Sequence, residues 1–81
     1  GGLMTIDGNG TTIHHNCTRG DSSDFGLEVY TSTSSLHLAS SLTIEMISTN
    51  NVGGGDYGGQ GTIAMVDNDG TIIKTIQEAT D

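Results

Sequence analysis

His14, His15 and Cys17 stand close together, and His37 lies further on. A copper or zinc centre needs three or four such ligands converging on one point. On a strand, consecutive side chains point to opposite faces, so only one of His14 and His15 could join Cys17. A copper site of the His/Cys type also needs a histidine and usually a methionine soon after the cysteine, and neither follows. Ordinary surface histidines are the expectation. Cys17 is the single cysteine and cannot form an internal disulfide, so it reads as a small buried hydrophobe, with an intermolecular partner as the alternative.

Asp67-Asn68-Asp69-Gly70, with Glu78 further on, has an acidic spacing suited to calcium. Calcium takes six to eight oxygens, and the helix–loop–helix calcium loop needs glycine at its sixth position. That position is Ile72 here, so the strict motif fails. What remains is a looser calcium site at Asp67 and Asp69, weighed against a plain turn that favours the same residues. Apart from this ion, the sequence offers no cofactor site.

Catalysis is harder to place. The aspartates and serines could supply a carboxylate pair or a Ser/His/Asp set on paper. The aspartates within the chain lie near Gly, Asn or Ser in turn context, and no Gly-x-Ser-x-Gly nucleophile elbow is present. The chain therefore reads as a non-enzyme. The net charge is −8, with Arg19 and Lys74 as the two basic residues. Nucleic acids and anionic membranes are bound by clustered Lys and Arg, so neither is an expected partner. The carboxylates are scattered, as on a solvated face.

These side chains need a scaffold, and the composition limits it. Gly, Ser, Thr and Asn make up nearly half of the chain, while Leu, Ile, Val and Phe make up only a fifth. No apolar run approaches the roughly 20 residues of a membrane helix. The four common polar types are poor helix formers, which excludes a helix bundle. So few apolar side chains build little core, and the many glycines raise the entropy cost of ordering. The expectation is a chain ordered by its neighbours. It opens on Gly1 rather than Met and shows no signal peptide, which reads as a processed product or an excerpt.

One pattern recurs: apolar–x–apolar, a polar turn, then an apolar residue nine positions after the first. Met4-Thr5-Ile6 leads to Ile13, Leu27-Glu28-Val29 to Leu36, and Ile63-Ala64-Met65 to Ile72. Asp24-Phe25-Gly26 and Asp56-Tyr57-Gly58 form a second repeat. Between the later copies, Leu42-Thr43-Ile44-Glu45-Met46-Ile47 alternates as a strand would, with Leu42, Ile44 and Met46 on one face. Residues 16–26 and 50–61 read as loops.

Short strands between Gly, Asn, Asp and Ser clusters predict an all-β fold over residues 1–81, as a single domain or as a segment of a larger β assembly. Two architectures compete. One is a small antiparallel β-sandwich of hairpins, turning at Asp7-Gly8-Asn9-Gly10 and Asp67-Asn68-Asp69-Gly70. The other, preferred, is a parallel β-solenoid slice of about three coils, each burying a thin apolar stripe against the next. The inward set would be Ile6, Ile13, Leu27, Val29, Leu36, Leu42, Ile44, Met46, Ile63, Met65, Ile72 and Ile76.

Thr5-Ile6-Asp7-Gly8-Asn9-Gly10-Thr11-Thr12-Ile13 resembles the opening coil of right-handed parallel β-helix proteins of the pectin-lyase-like kind. Gly53-Gly54-Gly55-Asp56-Tyr57-Gly58-Gly59, followed by Asp67-Asn68-Asp69-Gly70-Thr71-Ile72, is similar to the Gly-rich coils of polymorphic outer-membrane-type adhesins. The resemblance covers about half the chain and departs from the family in a long central coil and an irregular asparagine ladder. Pectin-lyase-like enzymes work with clustered Asp, or with Arg, Lys and calcium. In this chain Arg19 and Lys74 stand alone and far apart in the sequence.

Arg19-Gly20-Asp21 is the tripeptide displayed by integrin-binding adhesins. Asn9-Gly10-Thr11 and Asn16-Cys17-Thr18 fit the N-glycosylation sequon. The functional expectation is a structural or adhesive building block, extracellular or on a cell or virion surface. It would assemble through strand edges into a filament, adhesin, spike or capsid. Its partners would be copies of itself or flanking β-rich chains, and glycans in addition. The alternative is a carbohydrate-binding or polysaccharide-cleaving module on the same scaffold.

Overall fold

The computed structural model describes residues 2–8, 13–14, 25–51 and 53–80. Among these residues the fold is all-β with one short helix: β1 Leu3–Ile6, β2 Ile13–His14, β3 Phe25–Val29, β4 Ser35–Ala39, α1 Ile44–Ile47, β5 Ser48–Thr49, β6 Gly55–Gly59, β7 Thr62–Val66 and β8 Ile72–Gln77. Among the described residues no helix is long and apolar enough to cross a membrane.

The strands form three sheets. The first has the order β1-β4-β7-β8; β2 pairs with β5, and β3 with β6. Every pairing is parallel except β7 with β8. Thus β4, β5 and β6 lie in turn beside β1, β2 and β3. Antiparallel pairing, on which the sandwich alternative depends, is confined to the last strand pair. Asp67–Gly70 is the hairpin turn between β7 and β8, as its residues suggested. The other expected turn, Asp7-Gly8-Asn9-Gly10, falls partly outside the described residues, and the strands flanking it, β1 and β2, belong to different sheets and do not pair.

The structural repeat differs from the one read in the sequence. Met4 is in register with Leu36, and Leu36 with Ile63. The matching segments are therefore Met4-Thr5-Ile6, Leu36-His37-Leu38 and Ile63-Ala64-Met65, unequally spaced along the sequence. Leu27-Glu28-Val29 lies in another sheet. Phe25 and Tyr57, from the second repeat, do fall on paired strands, but out of step: Phe25 opposes Gly55 and Leu27 opposes Tyr57. The two segments expected as loops each contribute to a strand, at Phe25-Gly26 and at Gly55–Gly59.

The largest local departure is at residues 42–47. Thr43 caps a helical turn: its Oγ1 accepts a hydrogen bond from the Met46 N–H at 3.2 Å. The Ser48 N–H donates to the Ile44 carbonyl at the other end. A threonine cap and an acidic Glu45 in the first turn favour helix here over the period-2 alternative. The i, i+3 spacing then buries Ile44 and Ile47 with Leu42 and leaves Met46 exposed at 49%. Met46 is thus not an inward residue.

The core cluster is Val29, Leu36, Leu38, Leu42, Ile44, Ile47 and Ile63, flanked by partly buried Ile6, Leu27, Ala39, Tyr57 and Ile76. Of the expected inward residues, Val29, Leu36, Leu42, Ile44 and Ile63 are buried, and Met65 is half-buried. Ile72 is exposed, because β8 is an edge strand beyond the cluster. Leu38, Ile47, Ala64 and Val66 are buried residues absent from the expected set. Ile13 lies in β2, in register with Ser48.

Candidate functional site

β1 is an edge strand: β4 covers one side, and no described strand pairs with the other. Its segment Gly2-Leu3-Met4-Thr5-Ile6 carries no charge. The Gly2 carbonyl accepts from the Ser35 N–H at 2.8 Å, extending the β1–β4 ladder by one bond. Edge strands with apolar, uncharged sequences are templates for pairing with another chain.

Burial along one register row shows what this edge lacks. Met4, Leu36 and Ile63 occupy equivalent positions in β1, β4 and β7. Leu36 is 2% exposed and Ile63 0%, whereas Met4 is 61% exposed. Leu3 is 63% exposed, and the neighbouring Tyr30 is also open to solvent. A largely apolar groove of about 360 Å³ opens between Met4, Leu27, Val29, Tyr30 and Leu36, with the carboxylate-bearing Glu28 also on its wall. The groove spans from β1 and β4 to β3.

The opposite edge of the first sheet is built differently. β8 runs antiparallel to β7, with register shifts between Ile63 and Ala64 and between Met65 and Val66. Lys74, one of two basic residues in the chain, sits in the middle of β8. The strand is tied down by Gln77, whose Nε2 donates to the carbonyls of Gly61 at 2.9 Å and Gly58 at 3.3 Å. The Thr80 N–H donates to the Gln60 carbonyl at 2.9 Å. Irregular pairing and a lysine on the outermost strand are devices that blunt an edge.

Asp67 makes the β7–β8 turn. Its Oδ1 accepts from the N–H groups of Asp69 and Thr71, each at 2.9 Å. Its N–H donates to the Thr71 carbonyl, and its carbonyl accepts from Gly70, which takes φ +82°. Asp69 and Glu78 are exposed. Among the described residues no three of His, Cys, Asp or Glu gather to hold a metal ion. His37 is half-buried on β4, in register with Thr5 and Ala64. His14 lies in β2. Asn9, His15, Asn16, Cys17, Arg19, Gly20 and Asp21 lie outside the described residues.

One polar cluster was not anticipated in the sequence. Asn51 is buried at the corner between β5 and β6, where its N–H donates to Asp56 Oδ1 at 2.8 Å and its Nδ2 to Ser48 Oγ at 3.0 Å. The Ser48 hydroxyl, also buried, donates to the Asp56 carbonyl at 2.5 Å. The Asn51 side chain fills the space that a Cβ at Gly26 would need, which locks this corner onto β3. Asn50, at φ +56°, starts the corner. The paired asparagines ahead of the Gly53–Gly55 run were the available signal, since Asn tolerates this left-handed conformation.

Among the described residues, this surface offers a strand edge with no strand beside it and exposed apolar side chains. No family model matches the chain, and no curated protein or solved structure matches it either.

Proposed function

We propose that the chain is a slice of a parallel β-solenoid and serves as a structural, adhesive building block on an extracellular, cell or virion surface. It would assemble by pairing strand edges. One observation carries this reading: β4, β5 and β6 lie in order and in parallel beside β1, β2 and β3, while the register-equivalent Met4 stands bare where Leu36 and Ile63 are covered. A further strand along β1 would satisfy its outward N–H and C=O groups and bury Leu3 and Met4. Removing apolar area from water is worth about 25 cal/mol per Å².

The corners support the same reading. Gly59, at φ +102°, lies so close to the Val29 carbonyl that a Cβ would collide with it. Gly61 likewise packs against Val29 and the carbonyls of Thr31 and Ser34. Glycines there allow one round of chain to settle on the previous one. The test is sedimentation velocity over a concentration series, comparing the chain with its Met4→Lys variant. Assembly of the parent that is lost on placing a charge in the β1 edge is the expected result. A parent that stays monomeric at every concentration contradicts the proposal.

A further inference from the structure

We propose that Asp7-Gly8 is a site of spontaneous isomerisation to isoaspartate, and that the chain's other Asp-Gly step, Asp69-Gly70, is held against the same reaction by Asp67.

The chemistry is that of an aspartate followed by glycine. The glycine nitrogen attacks Cγ, the carbon of the aspartate carboxyl group. The N–Cγ bond forms as the nitrogen gives up its proton and the carboxyl group its hydroxyl, so one water leaves and a five-membered succinimide remains. Water then reopens the ring. Entry at the main-chain carbonyl leaves the backbone running through the side chain, as isoaspartate, whereas entry at Cγ returns aspartate. Glycine suits the step because it has no Cβ to shield its nitrogen and turns freely about its backbone bonds. The sequence contains two such steps, Asp7-Gly8 and Asp69-Gly70.

The fold treats them differently. Around Asp69 the main chain is fixed on both sides. The N–H groups of Asp69 and Thr71 donate to Asp67 Oδ1, each at 2.9 Å. The reacting nitrogen, that of Gly70, donates to the Asp67 carbonyl at 3.0 Å, and the Asp67 N–H donates to the Thr71 carbonyl. The turn is further anchored by the pairing of β7 with β8. To reach Cγ of Asp69, the Gly70 nitrogen must swing out of its hydrogen bond. This step therefore reacts only from an opened turn, and opening breaks hydrogen bonds to a charged carboxylate, which are stronger than neutral ones.

Asp7-Gly8 directly follows the last residue of β1. Both residues are exposed, and the space where a Cβ of Gly8 would stand is open to 4 Å. Among the described residues no turn bond engages the Gly8 N–H. Its approach to Asp7 Cγ breaks no such bond. Isomerisation here inserts one main-chain methylene just after Ile6, where the chain leaves the first sheet.

The experiment ages the unaltered chain in neutral buffer, digests it with trypsin and locates isoaspartate by electron-transfer fragmentation. Cleavage after Arg19 and Lys74 puts Asp7 in residues 1–19 and Asp69 in residues 20–74. Deamidation at Asn9 changes the mass and isomerisation does not, so the two are read apart. Isoaspartate at residue 7 should accumulate about tenfold faster than at residue 69, the factor that one hydrogen bond to a charged group supplies. In urea the two rates should converge, because the reacting pair is the same. Asp67→Ala should raise the rate at residue 69 toward that at residue 7, while Asp67→Asn, which keeps the acceptor, should not. Equal rates in the folded chain, a difference that survives in urea, or a rate at residue 69 indifferent to Asp67→Ala overturns the proposal.

Discussion

Asn51 and Asp67 are the two residues whose hydrogen bonds most define the chain's path. Asn51 holds a buried corner through Ser48 and Asp56. Replacing it with alanine leaves the Ser48 hydroxyl and the packing against Gly26 incomplete. Asn51→Ala should lower unfolding free energy by about 1–3 kcal/mol, the usual penalty for leaving buried polar groups unsatisfied, as read by urea denaturation. Asp67 accepts two backbone N–H bonds through one oxygen. An asparagine offers the same acceptor, so Asp67→Asn should keep the hairpin, whereas Asp67→Ala should cost about 1 kcal/mol. If calcium occupied the turn, Asp67→Asn would instead remove a calcium-dependent rise in melting temperature. Differential scanning fluorimetry with and without calcium separates the two. Asp67–Gly70 was legible as a turn because aspartate, asparagine and glycine each have a local reason to bend the chain. Ser48 was not legible, because a serine gives no sign of burial until its partners are placed.

At the level of elements, α1 is the sharpest contrast between pattern and structure. Leu42, Ile44 and Met46 alternate like a strand, yet Thr43 caps a helical turn that selects Ile47 over Met46. Ile47→Ala should therefore destabilise the fold by about 2–4 kcal/mol through a core cavity, while Met46→Ala should stay within about 0.5 kcal/mol of the parent. Equal losses, measured by chemical denaturation, would restore the strand reading. Strand existence was otherwise marked by the apolar–x–apolar pattern at Leu3–Ile6, Phe25–Val29 and Thr62–Val66, whereas Ser35–Ala39 was marked only by Leu36. Pairing was not. Unequal spacing between the paired segments slides the repeat, so Leu27-Glu28-Val29 imitates a counterpart of Met4-Thr5-Ile6 while sitting in a different sheet. The glycine-rich stretch hid β6 because glycine is disfavoured in strands, although here Gly58 accommodates the Phe25 ring and Gly59 the Val29 carbonyl.

Across the whole molecule, the buried apolar residues among those described are Val29, Leu36, Leu38, Leu42, Ile44, Ile47, Ile63, Ala64 and Val66. Small domains bury a low fraction of their surface and are marginal for that reason. On the edge-assembly reading, covering Met4 would enlarge this core along the Leu36–Ile63 row, so folding and association should be linked. For such a linked system stability rises with protein concentration by mass action. The most direct measurement is thermal unfolding by circular dichroism over a hundredfold range of concentration, with sedimentation at each point. The account predicts a melting temperature that climbs with concentration as associated chains replace monomer. A sharp, concentration-independent transition of a dilute monomer would contradict it.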